Sequence, residues 1–214
     1  MNFAISYSGG KDSALALYRM IEQGHTPVAM IATVNEEHSR SWSHGIQKEM
    51  LLAVSQSLNI PLLFAECSTD NYAQIFSDCL RAAQSMGADS CVFGDIDIEG
   101  HRQWDEVRCQ AVGLDCVLPL WQENREALVY EMLEVGFKTI IKVIDGSKLD
   151  PALLGQDLTT LLVQQFKQSG IDPCGENGEY HTFVYDGPIF KEPISLKVGE
   201  VVDLGVYKSV DLSL

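Results

Sequence analysis

Ser8-Gly9-Gly10-Lys11-Asp12-Ser13 stands between a short apolar run, Phe3-Ala4-Ile5-Ser6-Tyr7, and a segment in which Ala14, Leu17, Tyr18 and Ile21 recur at helical spacing. The order is strand, tight loop, helix. Two adjacent glycines let the backbone turn sharply and bring its N–H groups close to a ligand, and the N-terminus of the following helix favours an anion. Ser8 and Ser13 add hydroxyls, and Lys11 adds a full positive charge. A plain turn with Asp12 or Ser13 as helix cap is the alternative. Six residues of this composition in this context favour a nest for phosphate oxygens. The loop is not of the Walker A type, because GxxxxGK[ST] is absent and Lys11 is followed by Asp12.

Outward from the loop the rhythm repeats. Val28 to Val34 reads as a strand, Ile46, Met50, Ala53 and Val54 as one helical face, and residues 61–65 as a strand. A helix over 72–85, a strand over 90–93 and a helix over 104–112 follow. Parallel strands need crossovers, and these are right-handed, so alternating strands and helices imply a parallel sheet covered on both faces. The expected class is α/β with a doubly wound, Rossmann-like sheet. Such sheets bind ligands beyond the carboxyl ends of their strands, where the Gly-Gly loop lies. Past about residue 120 the pattern loosens into a helix over 125–134, a strand over 139–144 and a helix carrying Leu158, Leu161, Leu162 and Phe166. Strand-like pieces at 182–185, 194–198 and 201–204 complete it. The expectation is a nucleotide-binding domain over 1–122 and a smaller α+β lobe over 123–214.

Composition narrows the function. The 214 residues, 46% hydrophobic, suffice for one well-filled core. No stretch approaches the roughly 20 apolar residues of a membrane span, and the start lacks a signal-peptide pattern, so a cytoplasmic protein with no membrane partner is expected. Six cysteines form no CxxC pair, which argues against a zinc ribbon or a disulfide framework. Thirty acidic against fifteen basic side chains give a net charge of -15, which disfavours nucleic acid as a partner.

Three further stretches carry candidate chemistry. Ala32-Thr33-Val34-Asn35 should end the second strand beside the first loop, and His44 precedes the next helix, where it either packs or meets substrate or phosphate. Phe93-Gly94-Asp95-Ile96-Asp97 ends another strand at the same sheet edge. It makes Gly94 a point of close ligand approach and Arg102 a neutraliser of phosphate or carboxylate, unless the segment is only a solvated acidic loop. In Pro173-Cys174-Gly175-Glu176-Asn177-Gly178-Glu179-Tyr180-His181-Thr182, Asn177-Gly178 reads as a hairpin turn entering a strand. That turn can also present Glu176, Glu179 and Tyr180 toward the nucleotide loop.

The first loop resembles the PP-loop of the N-type ATP pyrophosphatases, which cleave ATP between the α and β phosphates. The combination of SGGKDS, the GDID segment with Arg102, Leu118-Pro119-Leu120-Trp121, Ile141-Lys142-Val143 and PCGENGEYHTFVYDGPIF resembles the diphthine-ammonia ligase family over nearly the whole chain. The resemblance implies that ATP activates the carboxylate of diphthine, a modified histidine of elongation factor 2, and that ammonia displaces AMP to leave an amide. It implies ATP contacts from Ser8, Gly9, Gly10, Lys11, Asp12, Ser13, Ala32, Thr33, Gly94 and Asp95, with Asp12 holding Mg²⁺. Lys11, Asp12, Glu176, Glu179 and Tyr180 are the expected catalytic residues. His44, Arg102, Trp104, Gly175, Asn177, Gly178, His181 and Thr182 are the expected substrate contacts. The Glu176/Glu179 pair would bind ammonium, deprotonate ammonia or share the metal.

The chain departs from the family's usual GEGGEYET at Asn177 and His181, and Trp104 stands where many members carry a basic residue. The extra C-terminal domains of longer eukaryotic members are missing, and the compact acidic chain reads as a bacterial relative. These departures bear on the acceptor, not on the ATP chemistry. A tRNA-modifying PP-loop enzyme is a second reading, opposed by the charge and the missing CxxC; a nucleotide-binding module without turnover is a third. Short strands in the C-terminal lobe would allow pairing into a homo-oligomer.

Overall fold

In the computed structural model, which describes residues 1–42 and 44–214, Phe3 and Ile5 of the first strand (β1, Asn2–Ser6) pack to one side and Ala4 to the other. The same alternation runs through the neighbouring strands, as a pleated strand buried on both faces requires. On the Phe3 side lie α1 (Lys11–Glu22) and α2 (Lys48–Leu58), through Leu15, Leu17, Met50, Leu51 and Val54. On the Ala4 side lie α3 (Tyr72–Ser85) and α4 (Glu99–Gln110), through Phe76, Leu80 and Cys109. Each large apolar side chain buried this way contributes about 1.5–3 kcal/mol.

The strands β2 (Thr26–Asn35), β4 (Leu62–Cys67), β5 (Ser90–Val92) and β6 (Asp115–Val117) join β1 in parallel, in the order β4-β2-β1-β5-β6. A two-residue strand, β3 (Arg40–Ser41), adds antiparallel to the end of β2. The chain therefore winds outward from β1 through β2 to β4, then returns to the other side of β1 with β5. The order reverses between β1 and β5, and the loops after these two strands open a crevice there, the binding position of doubly wound sheets.

After α5 (Arg125–Glu134), a second sheet is antiparallel, with β7 (Lys138–Asp145), β8 (Tyr180–Asp186), β9 (Lys197–Leu204) and β10 (Tyr207–Ser213) in the order β8-β7-β10-β9. A helix, α6 (Thr160–Gln168), lies between β7 and β8. Asn124 and Thr159 cap α5 and α6 by accepting from Ala127 and Leu162 N–H. Phe183, Val210 and Leu212 of this sheet share one apolar cluster with α1 and α2. Among the described residues no helix is long and apolar enough to cross a membrane.

Several expected elements shift. The helix expected over 104–112 starts at Glu99, because its first turn is polar and shows no apolar period. β6 was not expected: three residues are too short to display a period. Ile46 and Leu158 lie ahead of their helices, where Ile46 bonds Ser41 and the Leu158 N–H bonds Thr139. The pieces at 194–198 and 201–204 are replaced by the single strand β9, and β10 follows it unexpectedly. Every residue of β9 is exposed, so no buried face imposes an alternating pattern.

Candidate active site

The crevice is a cavity of about 510 Å³. It is lined by Ser8, Lys11, Asp12 and Ser13 and, packed beside them, by Gly175, Glu176, Tyr180 and His181. The two segments are stitched together. Lys11 N–H donates to the Thr182 hydroxyl at 3.1 Å, and Val184 N–H donates to the Gly9 carbonyl at 2.9 Å.

The loop's own shape follows from its glycines. Gly9 sits at φ 85°, the left-handed region glycine favours. A Cβ on Gly10 would lie 2.4 Å from His44 Cε1. Both glycines shape the loop but do not line the cavity. Ser8 Oγ accepts from Gly10 N–H at 3.2 Å, and Ser13 Oγ donates to the Gly10 carbonyl at 3.0 Å. His44 is buried against the loop with Nδ1 2.8 Å from the Thr182 carbonyl, so Nδ1 carries the proton. Burial, and His181 with its ring centroid 4.9 Å away, push the His44 pKa down to about 3. His44 thus lines the cavity as a neutral ring and also packs the loop. His181 is held neutral in the same way, by burial first and Lys11 second.

Lys11 is buried, with Nζ 2.7 Å from Asp12 Oδ2 and 5.8 Å from the Tyr180 ring centroid. Burial opposes its charge, but the Asp12 carboxylate outweighs burial and drives its pKa up. Glu176 moves the other way for an acid: burial and the neighbouring Asp12 raise it to about 7. Donor atoms of Asp12, Cys174 and Glu176 lie within 4.8 Å of one another. The two carboxylates suit a hard cation; the Cys174 thiol, pushed up by burial, remains protonated and bonds Asp12 Oδ1 at 3.6 Å. The Tyr180 hydroxyl donates to the Pro173 carbonyl, which leaves its ring rather than its oxygen facing Lys11.

The expected Glu176/Glu179 pair does not form. Glu179 is buried under the turn and accepts from Asn177 N–H at 3.1 Å. It braces the turn, while Glu176 meets the cavity; no strand precedes the turn, so the expected hairpin is a loop leading into β8. Asn177 bonds Asp172 and Glu179 through its side-chain amide and does not line the cavity. Gly178 lines it at φ 78°, and Gly175 at φ 73° is backed by the Tyr180 carbonyl, 2.8 Å from where its Cβ would be.

Beyond β2 and β5 the outcome is mixed. Ile31 and Thr33 line the cavity, whereas Ala32, one residue out of step, faces the opposite side. Gly94 lines the cavity, but its Cβ would lie 2.8 Å from the Ser13 nitrogen, so the close approach it permits is that of α1. Asp95 accepts from His101 Nδ1 at 2.9 Å, and Trp104 stacks with Tyr72, centroids 5.6 Å apart. Arg102 is not in the cavity. It pairs with Glu99 at 2.6 Å and Glu106 at 2.9 Å on the outer face of α4, over the Trp121 ring.

Sequence reasoning missed Tyr7, Tyr72, His101, Asp105 and Cys174, all of which line the cavity. Asp105 carries the largest surprise: burial and Asp95 push its pKa up to about 9. Its Oδ2 and the Tyr7 hydroxyl are buried with no hydrogen-bond partner among the described residues, rare for polar atoms and apt for a polar ligand. His101 and Asp105 are four residues apart, a helical spacing readable only once α4 is known to begin at Glu99.

Known proteins place this geometry in a family. The model of the diphthamide synthase N-terminal domain matches residues 1–116, and that of the C-terminal domain matches residues 124–208. Proteins named diphthine–ammonia ligase from Mus musculus and Homo sapiens are each 27% identical over 94% of this chain and 85% of their own length. One of the same name from Schizosaccharomyces pombe is 28% identical over 92% of this chain and 36% of its own. A crystal structure titled as a predicted subunit of tRNA methyltransferase from Methanocaldococcus jannaschii aligns with a TM-score of 0.45 at 15% identity, covering 91% of this chain and all of that one. The glycine loop, the late motif and the crevice that joins them thus lie within matched segments, and the chain belongs to the diphthamide synthase family.

Proposed function

We propose that this protein is an ATP-dependent, AMP-forming ligase that converts a carboxylate into an amide with ammonia, the reaction named for its relatives. One observation carries the reading: the glycine loop and the late motif line one cavity side by side, joined by the Lys11–Thr182 hydrogen bond. The triphosphate lies against the loop N–H groups and the start of α1, with Lys11 facing its charge. Adenine lies toward Thr33 at the end of β2. A carboxylate oxygen of the acceptor attacks the α-phosphorus, and pyrophosphate leaves. Ammonia then attacks the acyl carbon, AMP leaves, and the proton shed by nitrogen passes to Glu176, whose pKa near 7 suits a base at neutral pH.

Asp12 would hold Mg²⁺, which when bound neutralises phosphate charge, while Glu176 is left to take the proton. The acceptor belongs to the diphthine class, a carboxylate on a side chain of elongation factor 2, which places the reaction in the cytoplasm. Residues 1–122 supply the nucleotide wall and residues 123–214 the late-motif wall. A net charge of -15 opposes the tRNA-modifying alternative.

The test is incubation with ATP, Mg²⁺, ammonium and candidate carboxylates, with AMP and pyrophosphate assayed together. Equal amounts of both, lost in Asp12→Ala, are expected. No AMP with any carboxylate, or undiminished turnover in Asp12→Ala, would overturn the proposal.

A further inference from the structure

Arg125, the first residue of α5, does not line the cavity, yet it grips both loops that do. Its Nε and Nη2 bind the two Asp97 oxygens at 2.7 and 2.6 Å, a bidentate fork on the loop that carries Gly94 and Asp95. Its Nη1 donates to Asp172 and, at 3.3 Å, to Asn177 Oδ1. Asp172 in turn accepts from Cys174 N–H at 2.9 Å, at the start of the loop that carries Glu176. One guanidinium therefore spans from the first sheet's β5 loop to the late motif.

We propose that Arg125 is a positioning residue that fixes the gap between Asp95 and Glu176 across the cavity. A planar cation with five donors can hold two carboxylates and an amide at once; a lysine ammonium is a point charge and cannot reproduce the fork. Asn177, where the family's usual motif has glycine, adds its Oδ1 to this grip, so the chain's departure there strengthens the tie. The proposal rests on the ligase reading for its effect on turnover but not for its effect on the loops.

The experiment compares Arg125→Lys, Arg125→Gln and Asp97→Asn in the full chain by amide hydrogen exchange and by steady-state kinetics. Faster exchange across residues 94–98 and 172–179 is expected in all three, with the Lys11 amide, bonded to Thr182, unchanged. In Arg125→Lys, kcat for amide formation should fall about 10- to 100-fold, while KM for ATP stays within about twofold, since a misplacement near 1 Å costs that much. The losses of Arg125→Lys and Asp97→Asn should not add in the double variant. Unchanged exchange in both loops would overturn the proposal whatever the activity, and so would a kcat loss that merely tracks the folded fraction. If no variant and no parent forms AMP, the ligase reading fails, and the exchange data alone still decide the role of Arg125.

Discussion

The backbone N–H of Lys11 donates to the hydroxyl of Thr182, 171 residues later, and through that bond the glycine loop is held by the late motif. Both groups are buried, so the bond has no water to replace it. Thr182→Val keeps the shape, removes the acceptor and leaves a buried donor unpaired, a loss of about 1–3 kcal/mol. Denaturant unfolding should show that loss together with a raised KM for ATP, and Thr182→Ser should restore both. A Val variant as stable as the parent would show that the loop holds its shape unaided.

Gly10 is required by a neighbour and not by its own torsions, since its φ of -85° suits any residue. His44 Cε1 occupies the place of a Cβ, and its Nδ1 bond to Thr182 prevents retreat. Gly10→Ala should therefore destabilise by about 1–3 kcal/mol, as overpacking does. Adding His44→Ala should recover part of that loss, an interaction a double-mutant cycle measures directly. Full additivity would remove the steric account.

Asp105 and His44 set opposite pH slopes. The folded-state pKa of His44 is depressed from 6.5 to about 3, so the unfolded chain binds the extra proton and stability falls as pH drops through that window. For Asp105 the folded pKa is raised from 3.8 to about 9, so the native state binds the extra proton and stability falls as pH rises between those values. Asp105→Asn keeps a neutral polar group and removes this second slope. Thermal unfolding at pH 8 to 9 should find the variant more stable than the parent, with the difference vanishing near pH 4. A constant difference at all pH values would contradict a protonated Asp105.

Glu176 acts as a base only once ionised, so the ammonia-dependent step should rise through about pH 7 beyond the increase due to free ammonia. Glu176→Gln should lose that inflection and about 10²–10⁴ in rate. Glu179→Gln should behave differently, lowering stability through the loosened turn while keeping the inflection. Equal pH profiles for parent and Glu176→Gln would assign the proton elsewhere.

Arg102 supplies a control. Its partners are exposed glutamates on its own helix, and such pairs contribute about 0–1 kcal/mol. Arg102→Ala should leave kcat and KM within about twofold, and stability within about 1 kcal/mol. A large rise in KM would put Arg102 back in the site.

Local chemistry is what the sequence by itself determined. SGGKDS declares a tight glycine loop between strand and helix because its geometry spans six residues, and the turn at Asn177-Gly178 is equally local, though it follows a loop and not a strand and so closes no hairpin. The alternation of apolar strands and helices likewise carries the α/β class, since the period of burial is written residue by residue. Tertiary structure alone decided which side chains meet. Thr33 rather than Ala32 reaches the cavity because pleat parity depends on where β2 pairs. Glu176 faces the ligand space while Glu179 turns inward, and Arg125 rather than Arg102 spans the crevice. The strand order that brings residues 8–13 against residues 174–182 is set by packing and crossover handedness between distant segments, and no local pattern encodes a distance across a sheet.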